Sequence, residues 1–159
     1  MTSDYALTPP DSAALRVVES ASPADTANLA VSLTREIPPG SVICLYGNLG
    51  SGKTHFSKAF CRACGILGEA TSPSFTVINE YATAGELMLY HFDFYRMTHP
   101  AELVNLGLED YFHEESIALI EWPEQVRDYL PRDRWEIYFE ADPARPEWRR
   151  IRVFHLDGR

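Results

Sequence analysis

Gly47-Asn48-Leu49-Gly50-Ser51-Gly52-Lys53-Thr54 fits G-x-x-x-x-G-K-[ST], the P-loop whose main-chain N–H groups cradle phosphate oxygens. The residues on either side suit the motif. Ser41-Val42-Ile43-Cys44-Leu45-Tyr46 is a short apolar run, the pattern of a buried strand. Beyond the loop, Phe56, Ala59, Phe60, Ala63 and Cys64 recur at helical spacing on one face. Gly65 stands where a helix C′ residue belongs. Strand, glycine loop and helix N-terminus in this order make an anion site.

The residue types follow from that geometry. Glycines let the backbone wrap closely round an anion, and the start of the helix adds partial positive charge. Gly47, Asn48, Leu49, Gly50, Ser51, Gly52, Lys53 and Thr54 are therefore the candidate nucleotide-binding residues. Lys53 would neutralise the β- and γ-phosphates of ATP, and the Thr54 hydroxyl would hold Mg2+. Of 14 basic residues only Lys53 and Lys58 are lysines. A chain that otherwise uses arginine keeps lysine where a compact point charge suits phosphate. The bland alternative is a glycine-rich turn with one solvated lysine; the flanking strand and helix argue against it.

A chain of 159 residues with 45% hydrophobic content is long enough for one domain with a real core. No run approaches membrane-spanning length, and Met1 to Leu15 lacks the basic-then-apolar pattern of a signal peptide. Pro9-Pro10 among polar neighbours predicts a loose tail over residues 1–13 ahead of a single domain over 14–159. A cytoplasmic protein is expected. The net charge of −9 speaks against a grip on nucleic acid by this chain alone, because phosphate contact needs a basic surface. Any RNA would be held by a partner. Arg145, Arg149, Arg150, Arg152 and Arg159 concentrate positive charge near the C-terminus. A docking patch is one reading of them; a solvated strand edge is preferred. Cys61-Arg62-Ala63-Cys64 falls inside the expected helix, with no second pair to complete a zinc site. Packing explains it better than metal or redox chemistry.

The remaining elements are read from caps and periodicity. Ser22-Pro23-Ala24-Asp25 predicts a helix start with serine as N-cap and proline at N1, running to about Glu36 before Pro38-Pro39-Gly40. Residues 15–19 suit a short strand. Strands over Phe75–Tyr81 and Leu87–Tyr95, linked by five residues that include Gly85, predict an antiparallel hairpin. A short helix over 99–105 ends near Gly107, a buried strand over 117–120 ends at Glu121, and a helix over 123–129 follows. Arg134–Glu140 and Arg149–Phe154 read as closing strands. The predicted fold is α/β, a P-loop NTPase-like three-layer sandwich with a mixed parallel and antiparallel central sheet.

A P-loop site also needs an acid near the metal, at the C-terminal end of a neighbouring strand. Glu121 ends an apolar run, and Asp93 lies at the end of Tyr90-His91-Phe92-Asp93. Either would bind Mg2+, hold its water or orient the attacking water. With Thr54 they are the candidate metal ligands, and with Lys53 the candidate catalytic residues. The structural alternatives are a carboxylate bonded to Tyr95, Arg96 or a backbone N–H for Asp93, and a helix cap before Pro123 for Glu121. Trp122 reads more readily as packing than catalysis. His91 is a candidate general base only by residue type. The hydroxyl-rich segment Thr71-Ser72-Pro73-Ser74-Phe75-Thr76 suits a nucleotide-sensing loop or a plain turn.

Taken together, these residues resemble the TsaE family (also called YjeE), small bacterial ATPases of tRNA threonylcarbamoyladenosine biosynthesis. The blocks that carry the resemblance are Gly47 to Thr54, Ser72-Pro73-Ser74-Phe75-Thr76 through Asn79-Glu80-Tyr81, His91-Phe92-Asp93-Phe94-Tyr95-Arg96, and Ile120-Glu121-Trp122-Pro123-Glu124. Many families share a P-loop; the later blocks in this order are far more specific. The resemblance implies an Mg2+-dependent ATPase, slow alone, that works with TsaD and TsaB to modify the adenosine beside the tRNA anticodon. It reaches tRNA only indirectly, through that complex. Lys53 and Thr54 match the family's phosphate and magnesium residues, Glu121 a magnesium-associated carboxylate, and Asp93 a functionally important acid. The family often has threonine where this chain has Ser74. No residue beyond about Arg132 is carried over.

Three other readings compete. A small-molecule kinase needs a lid with arginines, yet the distal arginines fall in predicted strands. A GTPase switch would carry N-K-x-D, which is lacking here. A scaffold would use ATP as a structural ligand without useful turnover.

Overall fold

The computed structural model describes residues 9–97 and 99–158. Residues 1–8 of the expected tail, and Arg159, lie outside the described residues. The strands are β1 (Arg16–Ser20), β2 (Val42–Tyr46), β3 (Ile78–Ala82), β4 (Met88–Asp93), β5 (Ser116–Glu121), β6 (Arg134–Asp142) and β7 (Arg145–Leu156). The α-helices are α1 (Pro23–Leu33), α2 (Lys53–Ala63) and α3 (Pro100–Leu106). One seven-stranded sheet has the order β1-β7-β6-β2-β5-β4-β3. Its centre, β6-β2-β5-β4, is parallel; β7, β1 and β3 join antiparallel. The mixed α/β sheet is as expected.

Strand alternation builds both faces. On one side Ile43 and Leu45 meet Leu29 and Leu33 of α1 and Phe56 and Phe60 of α2. On the other, Val42 and Cys44 meet Phe92, Ile120, Leu103 of α3, and Leu108 and Val126 from two 3-10 segments. Phe56 and Phe60 are fully buried, each contributing about 1.5–3 kcal/mol through burial. This packing fixes α2, and so the loop ahead of it, against β2.

Local chemistry explains where elements start and stop. Ser22 Oγ accepts from Asp25 N–H at 3.3 Å, and Asp25 Oδ2 accepts from Ala21 N–H at 2.9 Å, a reciprocal cap. α1 stops at Leu33, a turn earlier than expected, because Arg35 and Glu36 N–H donate to Ser32 and Leu33 carbonyls, three residues back, tightening the chain into a 3-10 turn before the prolines. β3 begins at Ile78 rather than Phe75. Val77 has φ 68°, which breaks the extended backbone, and its N–H closes a turn onto the Pro73 carbonyl at 2.9 Å. Residues 123–129 form a kinked 3-10 segment rather than an α-helix, with Val126 at φ −125°.

The C-terminal arginines correct a second expectation. β1 adds outside β7, so β7 is an interior strand and its arginines are not a strand edge. Arg150 pairs with Asp11 and Glu140, and Arg152 with Asp11. These pairs tie the 3-10 turn Asp11–Ala13 to β7. Cys61 is buried in the core as a free thiol. Burial pushes that thiol up to about 12, which makes it unreactive at neutral pH. Among the described residues no helix is long and apolar enough to cross a membrane.

Candidate functional site

The loop between β2 and α2 sits at the carboxyl end of the parallel strands, where open α/β sheets bind ligands. Two glycines show why it has this composition. A Cβ on Gly47 would lie 2.9 Å from the Phe139 carbonyl oxygen, so the β2–β6 contact excludes one. Gly52 turns into α2 at φ 104°, a left-handed conformation suited to glycine. No side chain caps α2, which leaves the positive end of that helix facing the loop.

Both predicted acids are at the same place. Asp93 on β4 pairs in register with Glu121 on β5, and Glu121 in turn with Leu45 on β2. Loop and acids line one cavity of about 450 Å³ with Ser74, Tyr95, Arg96 and Trp122, a size that suits a small-molecule site. Thr54 Oγ1 donates to Glu121 at 2.8 and 3.1 Å from the two carboxylate oxygens. Glu121 is 2% exposed and caps no helix; Trp122, at the head of the 3-10 segment, makes no side-chain cap either. Asp93 Oδ1 accepts the Tyr95 N–H at 2.9 Å, the backbone bond foreseen for it, while still lining the cavity.

Lys53 is almost fully buried at 4% exposure. Its ammonium donates to the Gly47 carbonyl and sits 3.7 Å from the Trp122 ring centroid, a cation–π contact. Burial holds the Lys53 ammonium below the ordinary lysine range, partly offset by Glu121, Glu124 and Asp93. Trp122 itself is strained, with φ 58°, and non-glycine residues in this region cost about 1–3 kcal/mol and cluster at functional sites. Its ring also packs on Tyr95. The sequence pattern favoured plain packing for Trp122; the fold places it over the lysine.

A family model described as "Threonylcarbamoyl adenosine biosynthesis protein TsaE" covers residues 20–151. The chain belongs to the TsaE family. A Bacillus subtilis protein named tRNA threonylcarbamoyladenosine biosynthesis protein TsaE is 42% identical over 72% of this chain and 71% of its own length. A Haemophilus influenzae protein of the same name is 43% identical over 57% of this chain, and the match spans only 56% of that relative. The crystal structure of YdiB from Bacillus subtilis superposes with a TM-score of 0.72 at 33% identity, covering 89% of this chain and 86% of that one.

His91, within one of the TsaE-like blocks, is fully buried with Nε2 2.5 Å from Glu121 Oε2. Nδ1 has no partner, so the tautomer that leaves no N–H orphaned carries its proton on Nε2 and donates to the carboxylate. This makes His91 a support for Glu121 rather than a base open to substrate. His91→Phe is expected to cost about 1–3 kcal/mol of folding stability by stranding a buried acceptor, read from urea denaturation; an unchanged midpoint would contradict this bond.

The segment 71–77 also reaches the site. Ser74 lines the cavity. Thr71 and Asn79 join Tyr81 Oη in a hydrogen-bonded cluster, and Val77 carbonyl accepts the Asp93 N–H at 2.8 Å. A turn in this segment is thus mechanically joined to an acid of the site. His55 at the start of α2 contacts the Pro23 carbonyl at 2.8 Å, which brings the start of α1 beside the cavity.

Among the described residues no group of three or more His, Cys, Asp or Glu could cage a metal. Mg2+ in phosphate sites is held through one or two carboxylates plus phosphate oxygens and water rather than by an all-protein cage. Thr54, Glu121 and Asp93 are hard oxygen donors of the right kind. One residue bonded to the loop was read from the sequence only as part of the C-terminal arginine cluster. Arg149 on β7 donates from Nε to the Ser51 carbonyl at 2.9 Å and from Nη2 to the Gly50 carbonyl at 3.1 Å.

Proposed function

We propose that this protein is a Mg2+-dependent ATPase that serves threonylcarbamoyladenosine formation in tRNA, acting with TsaD and TsaB. One observation carries the reading: Lys53, Thr54, Glu121 and Asp93 converge on one cavity at the carboxyl end of the parallel strands. The family membership supports the pathway, and the curated relatives carry its name.

The division of labour follows from the chemistry of each group. Loop amides and the α2 N-terminus bind the β-phosphate. Lys53 leaves the Gly47 carbonyl and places its charge on the β- and γ-phosphates. Thr54, Glu121 and Asp93 are the residues that would hold Mg2+ or its water, and the metal would neutralise charge on the γ-phosphoryl and the departing ADP. Glu121 or Asp93 orients the attacking water for in-line displacement. Trp122 excludes bulk solvent from the lysine. The segment Ser22 to Thr26, beside His55, is a neighbour of the base. ATP state changes how the protein docks on TsaD–TsaB, and hydrolysis resets the complex between turnovers. The net charge of −9 leaves tRNA binding to the partners.

Mixing this protein with TsaD and TsaB is expected to raise ATP hydrolysis above its rate alone, measured as phosphate release. An unchanged rate in the three-protein mixture, with tRNA modification also unaffected by omitting this chain, would sink the assignment.

A further inference from the structure

The P-loop is gripped from behind by a residue 98 positions away in sequence. Arg149 sits in interior strand β7, paired with Ser20 of β1 and Ala141 of β6. Besides its two bonds to the loop, its Nη1 donates to the Pro146 and Trp148 carbonyls at 2.7 Å each. The guanidinium is therefore held by its own strand and holds the loop, with bond directions set by a planar fork.

The consequence is in the peptide planes. A trans peptide is flat, so a carbonyl pointing one way sends the following N–H the other. With the Ser51 carbonyl turned toward Arg149, the Gly52 N–H faces away from it. With the Gly50 carbonyl turned the same way, the Ser51 N–H closes onto the Asn48 carbonyl at 3.1 Å. A Cβ on Gly52 would lie 3.9 Å from Arg149 Nε, so the arginine lies directly behind the last glycine of the loop. Glycines at 50 and 52 make this segment free to flip its peptides. A fixed cation bonded to the carbonyls removes that freedom and adds positive charge to the anion site.

We infer that Arg149 is a positioning residue of the phosphate site: it locks the Gly50 and Ser51 carbonyls toward itself, so that the turn closed by Ser51 N–H is fixed and the Gly52 amide is set for phosphate before it arrives. The inference rests on the proposed nucleotide-binding role for its functional meaning, but the locking itself is a property of the protein alone. It also gives β7 a purpose in the site that strand pairing does not require.

Two readouts on Arg149→Met and Arg149→Lys decide it. The first is the amide NMR spectrum of Gly50, Ser51 and Gly52 in protein without nucleotide; the second is MgADP affinity by calorimetry. Arg149→Met is expected to shift or broaden the three loop resonances and to weaken MgADP about tenfold, the size of one charge-assisted hydrogen bond. Arg149→Lys restores charge but not the two-pronged grip, so it should recover part of the affinity while the loop resonances stay perturbed. Loop resonances and affinity both unchanged in Arg149→Met overturn the inference, as does perturbed resonance with wild-type affinity. Should the wild-type protein bind no MgADP, the proposed function fails on its own, and the NMR comparison alone decides whether the lock exists.

Discussion

Glu121→Gln is expected to lower ATP hydrolysis by about 100- to 1,000-fold, the loss typical when one preorganised electrostatic group is removed. The side chain is 2% exposed and is held by Thr54 and His91. A carboxylate this deeply buried is costly unless its oxygens are satisfied and cations lie near. Lys53 is one such cation, since Glu121 acts on its ammonium. Glutamine keeps the shape, with its carbonyl accepting from His91 and its amide donating to the Thr54 hydroxyl, but removes the charge that would hold Mg2+. Folding stability should therefore hold or rise, while the Mg2+ concentration needed for half-maximal hydrolysis increases. Glu121→Ala makes the contrast: it strands the Thr54 hydroxyl and the His91 N–H and should destabilise the fold by about 1–3 kcal/mol per unpaired group. Hydrolysis by Glu121→Gln at the wild-type rate, assayed with TsaD and TsaB, would remove Glu121 from the chemistry.

Lys53→Ala is expected to weaken MgATP binding about 100-fold, or roughly 2.7 kcal/mol, within the range for a charge-assisted contact to an ionised group. The ammonium is buried between the Gly47 carbonyl and the Trp122 ring. Burial disfavours its charge in the folded protein, so removing it relieves a desolvation cost, which offsets the hydrogen bond broken and the cation that the Glu121 carboxylate loses. The thermal midpoint should thus change little while affinity collapses, which separates lost binding from lost folding. Calorimetry and thermal denaturation on the same sample provide the check. Retained tRNA modification in a variant that no longer binds ATP would turn the reading toward a scaffold without useful turnover.

Local signals carried much of the fold. The loop at 47–54, the reciprocal cap at Ser22 and Asp25, Gly65 after α2 and Gly107 after α3 depend on neighbours a few residues apart. Period-two alternation puts Phe92 and Phe94 in one core and leaves His91 on the opposite face, against Glu121. Errors arose where backbone strain intervened. Val77 at positive φ delays β3, and nothing in a valine announces it, because β-branched residues ordinarily favour strands. The kink at Val126 is likewise invisible in an apolar spacing that suits an α-helix.

The order of short-range features along the chain was enough to specify a glycine-rich loop between strand and helix, and two acids that end strands. Their chemistry follows from residue type and adjacent sequence, since a glycine loop and a strand-terminal carboxylate are each written in a few consecutive residues. Which groups share the cavity was settled by the tertiary structure alone. Register across β4, β5 and β2 brings Asp93 and Glu121 beside Thr54, and insertion of β7 between β1 and β6 carries Arg149 to the back of the loop. These are non-local pairings, set by which strands exclude water together over the whole sheet, and no window of consecutive residues contains them.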